Sequence, residues 1–153
     1  MKIKDLMSAA PRTCTLDTTL AAAGALMLDG DCGILPVLHD GTLAGVVTDR
    51  DLFIALATRD KRASDVTIRE VVQAPVWTCE PEDDIHTALA VMKQHRVRRL
   101  PVSGFGGTVA GIVSMNDLLL AVGARRAVRG DEVLETMQAI CSHHHPVPHP
   151  VAA

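Results

Sequence analysis

Apolar and polar positions along this chain fall into two rhythms, one helical and one alternating, and the order of those rhythms occurs twice. A short amphipathic turn at Ile3–Met7 leads into an extended piece around Thr13, and helical spacing then predicts a helix over Thr18–Asp29. An apolar strand through Leu35-Pro36-Val37 follows, then a turn at His39-Asp40-Gly41, a second strand through Gly45-Val46-Val47 and a closing helix after Thr48. The succession starts again with a turn at Ile68–Val72, an extended piece around Thr78 and a helix over Asp83–Gln94. It finishes with a strand through Leu100-Pro101-Val102, a turn at Ser103–Gly107, a strand through Gly111-Ile112-Val113 and a closing helix after Ser114. Asp17 and Glu82–Asp84 place negative charge at the starts of the two long helices, where the helix dipole favours it.

An offset of 65 residues lays Ile3 on Ile68, Thr13-Cys14 on Thr78-Cys79, Met27 on Met92 and Leu35-Pro36-Val37 on Leu100-Pro101-Val102. One inserted residue near Gly104–Gly107 raises the offset to 66, which lays Gly45 on Gly111 and Asp51 on Asp117. A register held over about 50 residues with one slip marks a duplicated unit. The expected fold class is α/β (α+β), with two pseudo-symmetric repeats over residues 1–63 and 64–123, each a small mixed sheet with two helices. Residues 124–153 add a basic linker, an amphipathic helix over Asp131–Ile140 with Val133, Leu134, Met137 and Ile140 on one face, and a His- and Pro-rich tail.

The chemistry concentrates in the segments Gly45–Leu52 and Gly111–Leu118, where a hydroxyl (Thr48, Ser114) precedes an acid (Asp51, Asp117) by three residues at a helix start. That spacing is a capping box, in which the hydroxyl accepts from the backbone three residues on and the acid reaches back. The same pair can also hold the diol and phosphate of a nucleotide, because free backbone N–H groups point there. The two roles are compatible, since a capping hydroxyl keeps a proton to donate.

With the paired G-h-h-[ST]-x-x-D segments, the h-P-V strands, the opening Asp5-Leu6-Met7 and the run His95-Arg96-Val97-Arg98-Arg99-Leu100-Pro101-Val102, the chain resembles a tandem pair of CBS domains, the Bateman module. The resemblance covers residues 1 to about 123. It implies two clefts between the repeats that bind an adenosyl ligand (AMP, ADP, ATP, NAD or S-adenosylmethionine), with no required cofactor. It implies ribose bonds to Asp51 and Asp117, hydroxyl contacts from Thr48 and Ser114, and adenine resting near Leu35-Pro36 and Leu100-Pro101 with Thr13 and Thr78 close by. Trp77 falls beside the base position, and packed core or interface is its alternative role. For phosphates, the resemblance gives the Asp117 cleft Arg50 and Arg98. It gives the Asp51 cleft the uncharged Asn116 and Gly33, with Arg98 or Arg99 reaching across. Unequal clefts are expected, with Asp117 on the phosphate-preferring side. Solvated surface charge is the alternative for Arg50, Arg96 and Arg99.

Composition narrows the functional classes. A net charge of −3 and a pI near 6.1 disfavour nucleic-acid binding, and 2% aromatics leave no platform for stacked bases. No apolar run reaches the length of a membrane span, and no signal peptide is evident, so a cytoplasmic protein is expected. There is no Walker loop, G-x-G-x-x-G or triad motif, which argues against an enzyme. His86 and His95 read as surface or capping residues. Apolar residues spread around the closing helices at Phe53-Ile54 and Leu118-Leu119-Leu120 predict a homodimer, and the resemblance implies that it signals to a client protein.

The four cysteines form no C-x-x-C pair. The ending Ala139-Ile140-Cys141-Ser142, with Cys14 near the start, resembles the actinobacterial hypoxia-response members of the family. That resemblance implies a Cys14–Cys141 disulfide, and buried thiols in a reducing cytosol are the alternative. Four of the seven histidines lie in the tail, so Cys141, His143 and His145 are the candidate metal ligands in an alternative reading, a redox- or metal-responsive interaction protein with vestigial clefts.

Overall fold

The computed structural model describes residues 1–122 and 128–142. Two three-stranded sheets carry the two repeats; the second takes one strand from the first repeat, and the first receives only an isolated bridge from the second, Gln73 to Val46. In the first, β2 (Cys14–Thr15) runs parallel to β3 (Ile34–His39), which is antiparallel to β4 (Thr42–Thr48). In the second, β5 (Arg99–Ser103) is antiparallel to β6 (Val109–Ser114), and β6 also pairs with β1 (Ser8–Ala9) from the N-terminal segment. The β3–β4 turn is Asp40-Gly41, both at positive φ (49° and 77°), the backbone that a two-residue hairpin requires.

The helices follow the predicted order: α1 (Leu20–Asp29), α2 (Asp49–Arg59), α3 (Ile85–His95), α4 (Met115–Ala121) and α5 (Gly130–Cys141). α1 and α3 begin later than the pattern predicts because Thr19 and Asp84 are extended N-caps. Thr19 accepts from the Ala22 N–H at 3.2 Å, and Asp84 accepts from the His86 N–H at 3.1 Å. On α3 the buried residues Ile85, Ala88, Leu89 and Met92 recur at helical spacing. On α5 the buried positions are Val133 and Thr136, with Met137 and Ile140 half-buried, while Leu134 is 59% exposed. Leu134 is therefore not on the packed face: the i, i+3, i+4, i+7 stripe from Val133 passes through Thr136, whose hydroxyl is satisfied by the Glu132 carbonyl at 2.9 Å. No helix among the described residues is long and apolar enough to cross a membrane.

The lead segments of the repeats are exchanged. Ile3 is buried in the second core, among Ile85, Leu89, Leu100 and Leu118, whereas Val66 and Ile68 are buried in the first, among Leu20, Leu35 and Val47. The hydrogen bonds repeat with the same exchange: Ile3 N–H donates to the Asp83 carbonyl (3.0 Å) and Ile68 N–H to the Thr18 carbonyl (2.8 Å). The repeats thus form one interlocked body, and the clefts lie where each lead segment crosses the other repeat's second strand. Glycine is required at that crossing. A Cβ on Gly111 would lie 2.8 Å from Met7 Sδ and from the Ser8 carbonyl oxygen, and one on Gly45 would collide with Val72 and with the Gln73 carbonyl oxygen.

Candidate functional site: two unequal clefts between the repeats

Both boxes are formed as caps. Ser114 Oγ donates to Asp117 Oδ2 at 2.6 Å and accepts from the Asp117 N–H at 3.3 Å, while the Ser114 N–H donates to the same Oδ2 at 2.7 Å. The Thr48–Asp51 box repeats these contacts at 2.7, 3.3 and 2.8 Å. Each box consumes one carboxylate oxygen and leaves Oδ1 for another partner. At Asp51 that partner is present, with Gln73 Nε2 donating to Oδ1 at 3.3 Å. Asp117 Oδ1 has no hydrogen-bond partner among the described residues.

Asp117 opens onto a cleft of ≈ 420 Å³ between the repeats. Its walls come from the lead segment (Ser8, Pro11, Arg12), the α1–β3 turn (Gly30 to Gly33), and the β6–α4 junction (Ile112, Ser114, Asn116). Two cations reach it. Arg12 is exposed and paired with Asp29 at 2.6 Å, whereas Arg99 makes no ion pair with any described residue. The related hollow on the other side is smaller, ≈ 240 Å³, and is lined by Thr48, Asp49, Arg50, Arg98 and Arg99 among others. Arg99 and Ile34 line both cavities, so the two adjoin. Asp51 instead lines a separate groove of ≈ 340 Å³, where its cation neighbour Arg59 is already paired with Glu70 at 3.2 Å.

A duplicated α/β unit with paired hydroxyl–acid helix starts at a shared cleft is the pattern of one family, and comparison decides it: the CBS domain matches residues 3–58 and again residues 65–124. The chain belongs to the CBS domain family. Hypoxic response protein 1 of Mycobacterium tuberculosis is 30% identical over 140 residues, covering 91% of this chain and 93% of that one. The CBS domain pair of protein MJ0100, solved with 5′-methylthioadenosine and S-adenosyl-L-methionine, superimposes with a TM-score of 0.74 at 25% identity, over 82% of this chain and 98% of that one. A structure of Hypoxic Response Protein I with two coordinated zinc ions gives a TM-score of 0.71 at 30% identity, over 78% of this chain and 98% of that one.

Within this CBS pair the expected site residues are regrouped. Ser114, Asn116, Asp117 and Arg99 meet in the larger cleft, but Arg50 and Arg98 line the adjoining hollow, and Gly33 and Asn116 belong to the Asp117 side, not the Asp51 side. Leu35 and Leu100 are fully buried in the two cores, Pro36 and Pro101 are buried too, and none of the four lines the Asp117 cleft, the Arg50 hollow or the Asp51 groove. Their neighbours Ile34 and Arg99 do, because a strand turns successive side chains to opposite faces. Thr13 and Thr78 are half-buried and line neither the Asp117 cleft, the Arg50 hollow nor the Asp51 groove.

Trp77 is 42% exposed and stacks on His95, with ring centroids 3.5 Å apart and planes within 10°. His86 bridges α3 to α5, its Nδ1 2.7 Å from Glu132 Oε2. The expected Cys14–Cys141 disulfide is not formed in this structure. Cys14 is sealed in the first core, whereas Cys141 is exposed at the end of α5, which packs on α3 and α4 of the second repeat, and both thiols are free. Burial pushes the Cys14 thiol up to about 11 and its mate Cys79 to about 12. Cys141 belongs to no group of three or more His, Cys, Asp or Glu suited to a metal among the described residues, while His143 and His145 lie outside them.

The sequence reading missed Ser8, Arg12 and Ile112. The repeat offset was the available signal, since it lays Arg12 on Trp77, a position already singled out.

Proposed function

We propose that this CBS pair is a regulatory, non-catalytic module that binds an adenosyl nucleotide in the Asp117 cleft and passes its state on through a homodimer to a client protein. One observation carries the reading: a half-buried carboxylate, oriented by its own cap, has no partner for Oδ1 among the described residues, in a cleft that also holds an arginine with no ion pair among them. An ionised carboxylate accepts from ribose hydroxyls through charge-assisted bonds about twice as strong as neutral ones. In this reading Asp117 holds the ribose, Ser114 and Asn116 flank it, Ile112 offers an apolar wall to the base, and Arg99 receives phosphate. Arg50 and Arg98, which share the adjoining hollow with Arg99, extend the cationic path for a di- or triphosphate. The adenosyl compounds bound by the MJ0100 pair support the ligand class. Phe53, Leu119 and Leu120, 71%, 59% and 78% exposed on α2 and α4, supply an apolar surface for a second copy.

The test is thermal unfolding with AMP, ADP, ATP, NAD, S-adenosylmethionine and GTP. Stabilisation by adenosyl compounds but not GTP supports the reading, and a flat panel refutes it. A second reading, a metal-responsive interaction protein, is favoured by the zinc ions of the Hypoxic Response Protein I structure and by the Cys141–His145 run. Stabilisation by zinc with no response to nucleotides would select it.

A further inference from the structure

We propose that the two clefts of this chain have diverged, and that the Asp51 cleft is closed to nucleosides by Gln73, Trp77 and His95, leaving one nucleoside site per chain. The inference rests on the adenosyl reading above. The repeat offset assigns every residue of the Asp117 cleft a mate. Seven of the eight residues lining the ≈ 240 Å³ hollow are such mates, including Thr48 for Ser114 and Arg50 for Asn116 (offset 66), and Arg98 for Gly33 (offset 65). The hollow is therefore the second cleft, reduced from ≈ 420 Å³.

The mates that drop out of its lining include Gln73, Trp77, His95 and Asp51, which correspond to Ser8, Arg12, Gly30 and Asp117. These four are tied to one another in two pairs. Gln73 Nε2 occupies Asp51 Oδ1, the oxygen that on Asp117 has no partner among the described residues. Trp77 and His95 stack at 3.5 Å, where the open cleft has an arginine turned toward Asp29 and a glycine with no side chain. An amide on the carboxylate takes the hydrogen bond that a ribose hydroxyl would make. A flat imidazole on an indole takes the stacking surface that a base would use. A nucleoside entering this side would have to displace both pairs, and the remaining hollow keeps only the arginine-lined, phosphate-facing end.

The test is AMP binding by titration calorimetry on the full chain, with Asp117→Asn, Asp51→Asn and Gln73→Ala/Trp77→Ala variants, each checked for folding by circular dichroism. Wild type is expected to bind one AMP per chain, Asp117→Asn to lose it and Asp51→Asn to retain it with affinity changed less than threefold. The folded double variant is expected to bind two. Two AMP per wild-type chain, or loss of half the stoichiometry in Asp51→Asn, overturns the closure and leaves the adenosyl reading standing. A folded double variant that stays at one site overturns the assignment of closure to these side chains. No binding of AMP by wild type, together with none of ATP or S-adenosylmethionine, overturns the adenosyl reading and this inference with it.

Discussion

Replacing Ser114 and Thr48 singly by alanine separates what the hydroxyls do as caps from what they do for a ligand. Ser114→Ala removes a 3.3 Å bond from the Asp117 N–H and a 2.6 Å bond to Asp117 Oδ2, while the 2.7 Å bond from the Ser114 N–H remains. The lost N–H bond is long and the box is only half-buried, which places the cost mid-range for an N-cap, about 1 kcal/mol. Thr48→Ala removes the counterparts at 3.3 and 2.7 Å, so its cost is the same, about 1 kcal/mol. For a chain of 153 residues that is a fall in Tm of about 2–4 °C in either variant.

With AMP the two variants part. At about 100 times Kd the nucleotide adds about 2.7 kcal/mol to the wild type. Losing the hydroxyl that fixes the Asp117 carboxylate weakens the site on the order of tenfold, which lowers that gain to about 1.4 kcal/mol in Ser114→Ala. Thr48→Ala should keep the full gain, because its box faces the cleft proposed above to be closed. Calorimetric or circular-dichroism melts with and without AMP measure both effects. Ligand-free Tm losses that differ more than twofold between the variants refute the equivalence of the caps. Equal losses of AMP stabilisation refute the inequality of the clefts.

Three further outcomes follow from the packing and the charges. At pH 8 a thiol reagent should modify the exposed Cys141 in the native protein and reach Cys14 and Cys79 only on unfolding, since burial holds those thiols up near about 11 and about 12; rapid native labelling of either contradicts the core assignment. The Asp84 carboxyl is held below its ordinary 3.8, first by the His86 backbone N–H and also by the N-terminal amine. A folded value below the unfolded one means stability present above 3.8 and lost as pH falls through the folded value, so Asp84→Asn should flatten acid unfolding below that point; an unchanged acid profile refutes it. Leu118→Ala, at a fully buried site, should cost about 3 kcal/mol in denaturant titration, whereas Leu120→Asp, at a site 78% exposed, should leave unfolding nearly unchanged and turn the proposed dimer into monomer by light scattering; a monomeric wild type refutes the second.

The sequence by itself determined the features whose causes are local. The order of turns, strands and helices, the Asp40-Gly41 hairpin and the two capping boxes follow from residues within a few positions of one another, and their recurrence at an offset of 65–66 residues shows the duplication. The family followed from the spacing of those same features. The tertiary structure decided what depends on strand face and on chain crossing. One residue along a strand separates Ile34 and Arg99, which line the cleft, from Leu35 and Leu100, which fill the cores, and apolar pattern alone does not say which neighbour turns outward. The exchange of the lead segments moves Ile3 to the second core and Val66 to the first, bringing Ser8 and Arg12 against Asp117 from more than 100 positions away in the chain. The difference between the clefts is also tertiary: two acids in matching local settings differ because Gln73 reaches one of them and no described residue donates to the free oxygen of the other.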